Sequence, residues 1–95
     1  MFNPERGETV VEINSATHAL RFTLGALAEI EHALGATGPS SLSARLTTMR
    51  AGDLQAVLAA LLRAGGAQSP ADLAACAEPA RAARAVAACL KANLT

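Results

Sequence analysis

The chain has 95 residues, of which 52% are apolar and 17% charged, and its eight basic and eight acidic side chains cancel. That length suits one small domain and is too short for two, and the apolar share excludes a disordered chain. A formal net charge of zero is a poor footprint for non-specific binding to nucleic acid or anionic membrane, and it leaves little repulsion against self-association.

Much of the apolar share is alanine, and the aromatics are Phe2 and Phe22 alone. The core must therefore come from a limited set of Leu, Val and Ile side chains, which predicts modest stability as a monomer. Residues 1–7 read as an extended lead-in, because Pro4 and Gly7 oppose a helix. From Glu8 to Ile13, Thr9, Val11 and Ile13 alternate with Glu8, Val10 and Glu12, the period of a strand. Residues 14–17 have turn chemistry, and a second strand is expected over 18–23 with Leu20 and Phe22 on one side. Such a hairpin is marginal alone in water, so the next helix is expected to cover Val11, Ile13, Leu20 and Phe22.

That helix is expected from Thr23 as N-cap to Gly35 as left-handed stop. Leu24, Leu27, Ile30 and Leu34 share an arc of about a third of a turn. After a loop, Ser40 or Ser41 is expected to cap a short helix ending near Thr48, with Leu42 and Leu46 on one face. The run from Arg50 to Asp53 breaks it. A helix over about 51–64 presents Leu54, Val57, Leu58, Leu61 and Leu62 across roughly 140°, and Gly65-Gly66 ends it. Ser69-Pro70-Ala71-Asp72 is a compact start signal for a helix that Pro79 limits to about Ala77. Pro79 opens the last helix, to about Leu94, with Ala82, Val86, Cys89 and Leu90 facing inward. The expected architecture is α+β in a single domain, 1–95: a lead-in (1–7), a two-stranded antiparallel hairpin (8–23) and a helical part (24–95) of about four to five helices.

Chemistry is sparse along this chain. The serines sit in loops and cap positions. His18 and His32 lie on separate elements, and Cys76 and Cys89 do not have the spacing of a zinc site. The glycine pairs match no phosphate-binding pattern. The sequence therefore predicts no enzyme activity, no cofactor and no metal. It carries no membrane span or signal peptide, and its cysteines read as reduced thiols of a cytoplasmic protein.

Glu31 falls inside the apolar arc of its helix, where a carboxylate needs a cation or a hydrogen bond. Arg6 and Arg21 are the expected partners, unless the carboxylate reaches solvent past Ala28. Arg81, Arg84 and Lys91 form a basic face on the last helix. They suit solvent, or phosphates in a small DNA-associated regulator or packaging accessory protein. The 51–64 helix offers only Gln55 and Arg63 to a DNA groove, which makes nucleic acid the weaker alternative.

Asn3-Pro4-Glu5-Arg6-Gly7-Glu8, the two strands, and Leu20-Arg21-Phe22-Thr23-Leu24-Gly25-Ala26-Leu27-Ala28-Glu29-Ile30-Glu31 with Leu34-Gly35 resemble the gene transfer agent family of phage-type tail assembly proteins. These are small chaperone-like proteins encoded among the tail genes of gene transfer agents and prophages. The resemblance implies a non-enzymatic role in bacterial cytoplasm: binding the long, apolar, helical tape measure protein and helping tail tube subunits assemble around it. It carries no catalytic residues. Apolar side chains left over from the core would then be the contacts, and Leu58, Leu62 and Phe2 are the candidates, with ordinary core packing as the competing role for the two leucines.

Overall fold

β1 (Glu8–Ile13) and β2 (Ala16–Arg21) form an antiparallel two-stranded sheet, the first part of a computed structural model that describes residues 8–36 and 38–94. Asn14 (φ 54°) and Ser15 (φ 66°) make the turn by themselves. Two central residues at positive φ give the tight turn whose twist matches that of the strands, and Asn tolerates that region better than most residues. Ala16 and Thr17 are thereby drawn out of the expected four-residue turn and pair with Ile13 and Glu12. β2 accordingly begins and ends two residues earlier than its pattern suggested. The register Thr9↔Leu20, Val11↔His18 and Ile13↔Ala16 puts these six side chains on one face, where Val11, Ile13 and Leu20 are buried.

The elements that cover this face are not the expected ones. α1 (Leu24–Leu34) packs on α3 (Ala51–Ala64), while β2 packs on α3 and β1 on α5 (Pro79–Leu94). The buried residues of α1 are Ala26, Ile30 and Leu34, with Leu27 half-buried. That face is turned by about 50°, half a residue step, from the one the leucines alone define. Ala26 is small enough for close approach to α3, and Leu24 is left 83% exposed. The ends of α1 follow the sequence: Thr23 Oγ1 accepts from the Ala26 N–H at 3.1 Å, and Gly35 stops the helix at φ 67°.

α2 (Pro39–Leu46) starts after Gly38 with Pro39 at its first position, ahead of the serines expected to cap it. A proline there forfeits no hydrogen bond and already has the helical φ. At α3 the Arg50 N–H donates to Asp53 Oδ2 at 3.2 Å, so the run that breaks α2 also begins α3. Val57, Leu58, Ala60, Leu61 and Leu62 are buried, an arc of about 200° in contact with α1, β2, α5 and α4 (Pro70–Cys76). Ser69 occupies the N-cap position of α4 without a side-chain capping bond. α5 buries Ala82, Ala85, Val86, Cys89 and Leu90. The α+β class and the antiparallel hairpin stand, with five helices among the described residues.

The end of α3 meets the sheet at backbone distance. A Cβ added at Gly65 would sit 2.1 Å from the Ala19 carbonyl oxygen. The alternating hydrogen-bond pattern of a two-residue hairpin points the Ala19 carbonyl away from β1, along the outer edge of β2. Gly65 therefore lets α3 close that edge. Ion pairs add surface ties: Arg63 to Glu29 joins α3 to α1, and Arg81 to Glu12 at 2.5 Å joins α5 to β1. Both are about half exposed, and pairs of this kind contribute about 0.2–1 kcal/mol.

Cys76 is exposed and Cys89 buried, both as thiols. Burial pushes the Cys89 thiol from 9.0 up to about 11. The folded chain thus holds that proton more tightly than the unfolded chain. The resulting stability is full below pH 9 and is lost as pH rises towards 11. Thiol titration at pH 8 should find Cys76 reactive in the folded protein and Cys89 reactive only after denaturant is added. A Gly65→Ala variant should lose about 1–3 kcal/mol in urea unfolding. Gly52→Ala, where a Cβ meets nothing within 4 Å, should hold or gain stability.

Candidate partner-binding cleft

The described residues contain no group of His, Cys, Asp and Glu side chains able to hold a metal ion, and no buried side-chain nitrogen or oxygen lacking a partner. No helix among them is long and apolar enough to cross a membrane. One feature with the shape of a binding site and an apolar lining is a cleft of about 430 Å³ between the α2–α3 connection and α5. Leu46, Met49 and Leu54 form one wall, and Val86 and Leu90 the other.

Each wall is set by local chemistry. At the end of α2 the Thr47 hydroxyl donates to the Ala44 carbonyl at 2.8 Å, and Thr48 reaches the same oxygen at 3.4 Å. These bonds tie off the helix, and the chain passes through Met49 to an extended Arg50 (φ −92°, ψ 172°) before α3 starts. Met49 and Leu54 thus face the cleft from either side of a helix start. On α5 the lining positions are Ala83, Val86, Ala87 and Leu90. Their spacing of three, four and seven marks one stripe of a helix, two turns long and low in the middle because of its alanines.

The rim is basic. Arg50 lines the mouth, and a polar hollow beside it is formed by Arg45, Thr48, Arg50 and Asp53. On α5, Arg84 lies about 60° beyond Ala87 around the helix and is exposed. Among the described residues, the ion pairs engage Arg63 and Arg81 and leave Arg45, Arg50 and Arg84 without a carboxylate. Asp53, the acid of the hollow, accepts from the Arg50 backbone. The cleft can shed water from apolar side chains and favours negative charge at its edges. That combination of apolar lining and basic edge suits recognition of a partner.

Of the residues singled out in the sequence, Leu58, Leu62, Glu31 and Arg21 do not line this cleft. Leu58 and Leu62 have no exposed surface, so contact through them would require the fold to open; they hold α3 against its neighbours. Phe2 and Arg6 lie outside the described residues. Glu31 is half-buried on α1 and Arg21 is exposed at the end of β2. With the buried face of α1 centred near Ile30, Glu31 falls at its rim, about 100° away. Arg81 is drawn into pairs with Glu12 and with Glu78 at 3.9 Å, leaving less of a basic face for phosphates. Met49, Arg50 and Leu54 went unnoticed as site residues. Their signal was Leu54 at the edge of the α3 arc, directly after a half-apolar turn.

The family described as "Phage tail tube protein, GTA-gp10" matches residues 6–95. The chain belongs to that family. No curated protein and no solved structure matches it. Membership makes this a phage or gene transfer agent tail protein, the coarser part of what the N-terminal resemblance implied, and other tail proteins are the partners it suggests.

Replacing Leu58 or Leu62 of this tail protein with Ser should cost about 3–5 kcal/mol through the cavity and the buried hydroxyl. Met49→Ser or Leu54→Ser, at half-buried cleft positions, should cost less than about 2 kcal/mol. Urea midpoints of the four variants compare them directly.

Proposed function

We propose that this chain is a non-enzymatic tail-assembly accessory protein, a chaperone that binds the helical tape measure protein reversibly while tail tube subunits assemble. The observation that carries this reading is the small, open apolar cleft set in a surface otherwise poor in exposed large apolar side chains. Among the described residues only Val10 and Leu24 are of that kind. Permanent assemblies join through large, apolar interfaces, commonly more than about 2,000 Å². Brief binding needs less surface and leaves the free protein soluble. A wall subunit of the finished tube, the other role the family description allows, would want broad apolar faces on two sides.

The reading is tested by co-expression with the tape measure and tail tube proteins, followed by quantification of this chain in purified particles. The expected result is a soluble complex with the tape measure protein and finished particles that lack the chain. Stoichiometric retention in the particles would make it a tube subunit instead. Salt-sensitive binding to duplex DNA, with none to tail proteins, would favour a DNA-associated accessory role.

A further inference from the structure

We propose that the cleft between the α2–α3 connection and α5 docks one amphipathic helix of a partner, with its apolar stripe bordered by aspartate or glutamate. Three observations converge on this occupant. The stripe of Ala83, Val86, Ala87 and Leu90 on the cleft side of α5 has the ridge spacing by which helices pack on helices. Across it stand Leu46, Met49 and Leu54, so an inserted side chain meets apolar atoms on both sides. The alanines keep the middle of the floor low, which lets a second helix axis come close.

Charge selects among the helices that would fit. Arg50 lines the cleft, Arg45 lines the polar hollow beside it, and Arg84 is exposed on α5 about 60° around the helix from Ala87, none of them in an ion pair within the described residues. An apolar stripe flanked by carboxylates meets this rim with complementary charge on both edges, whereas a lysine-flanked stripe meets it with repulsion. Duplex DNA also carries the matching sign, but it is contacted through phosphates and polar base edges, and the floor offers only aliphatic side chains and a thioether. A second copy of this chain fits less well. Among the described residues, the exposed large apolar side chain on a helix, Leu24, stands on a first turn without acidic residues.

The inference rests on the chaperone reading only for the name of the partner, so its test uses two probes. The first is a pair of synthetic helices of about 18 residues, long enough to hold helical structure, with leucines at helical spacing and either glutamate or lysine flanks. Fluorescence anisotropy should show the glutamate helix binding at least about tenfold tighter, with the difference shrinking as salt is raised. Amide resonances of Met49, Leu54 and Leu90 should shift on binding. A variant with Arg45→Glu, Arg50→Glu and Arg84→Glu, checked for folding by circular dichroism, should invert the preference. Equal binding of the two helices, shifts confined to other surfaces, or self-association that fills the cleft would overturn the proposal, as would duplex DNA binding there in preference to either helix.

The second probe is capture of the tape measure protein by the native chain and by the triple variant. Capture by both, with equal strength, would remove this cleft from the interaction while leaving the chaperone reading intact. Glutamate-helix binding without capture by the native chain would do the reverse.

Discussion

The fold depends on α3 being apolar over more than half its circumference. A helix lying on one layer needs a stripe of about 100°. α3 instead touches α1 and α4, the second strand and α5, and its buried arc of about 200° is filled by Val57, Leu58, Ala60, Leu61 and Leu62. Because the chain has few large apolar side chains, concentrating them on one shared helix lets each serve two neighbours. Gly65 completes the arrangement by allowing backbone contact where the helix ends and the sheet edge begins. Without α3, the main contacts left are those between the two strands and between β1 and α5, with a few between α1 and α2.

Local signals were the legible part of the sequence. The boundaries of β1, α1, α3 and α5 follow from alternation, from Thr23 and Gly35, and from Pro79, because each is fixed by chemistry within a few residues. What escaped was set by geometry between elements. The pattern of leucines on α1 suggested a face centred between Leu24 and Ile30. The actual face follows Ala26, because a close helix contact selects a small residue that hydrophobicity counting undervalues. The turn was shortened by Ser15 accepting positive φ beside Asn14, which residue preference alone does not announce. The cleft was invisible for a similar reason: its walls come from residues more than thirty positions apart, and neither wall alone departs from an ordinary amphipathic pattern.

The distribution of charge gives the neutral total its meaning. Arg63 and Arg81 are used internally, tying α3 to α1 and α5 to β1. Arg50 lines the apolar cleft, Arg45 lines the polar hollow beside it, and Arg84 is exposed on the helix that forms the far wall. A balanced chain can therefore still present a basic rim locally, and composition averages that rim away. On the chaperone reading proposed above, such a rim has a further use. Contacts at an exposed edge are weak and screened by salt, so they steer and select without locking the complex.

The pairing of β1 with α5 also sets a timetable for the newborn chain. Glu12 and Arg81 are 69 positions apart, so at about 5–20 residues per second a ribosome needs roughly 3–14 s between making the one and the other. Through that interval Val11 and Ile13 have only part of their eventual cover, and a lone hairpin is marginal. Docking of the first strand is thus among the last events of folding, and any encounter that traps the hairpin early competes with synthesis itself. In a cell producing many tail components at once, the vulnerable period of this protein is written into which of its ends must meet.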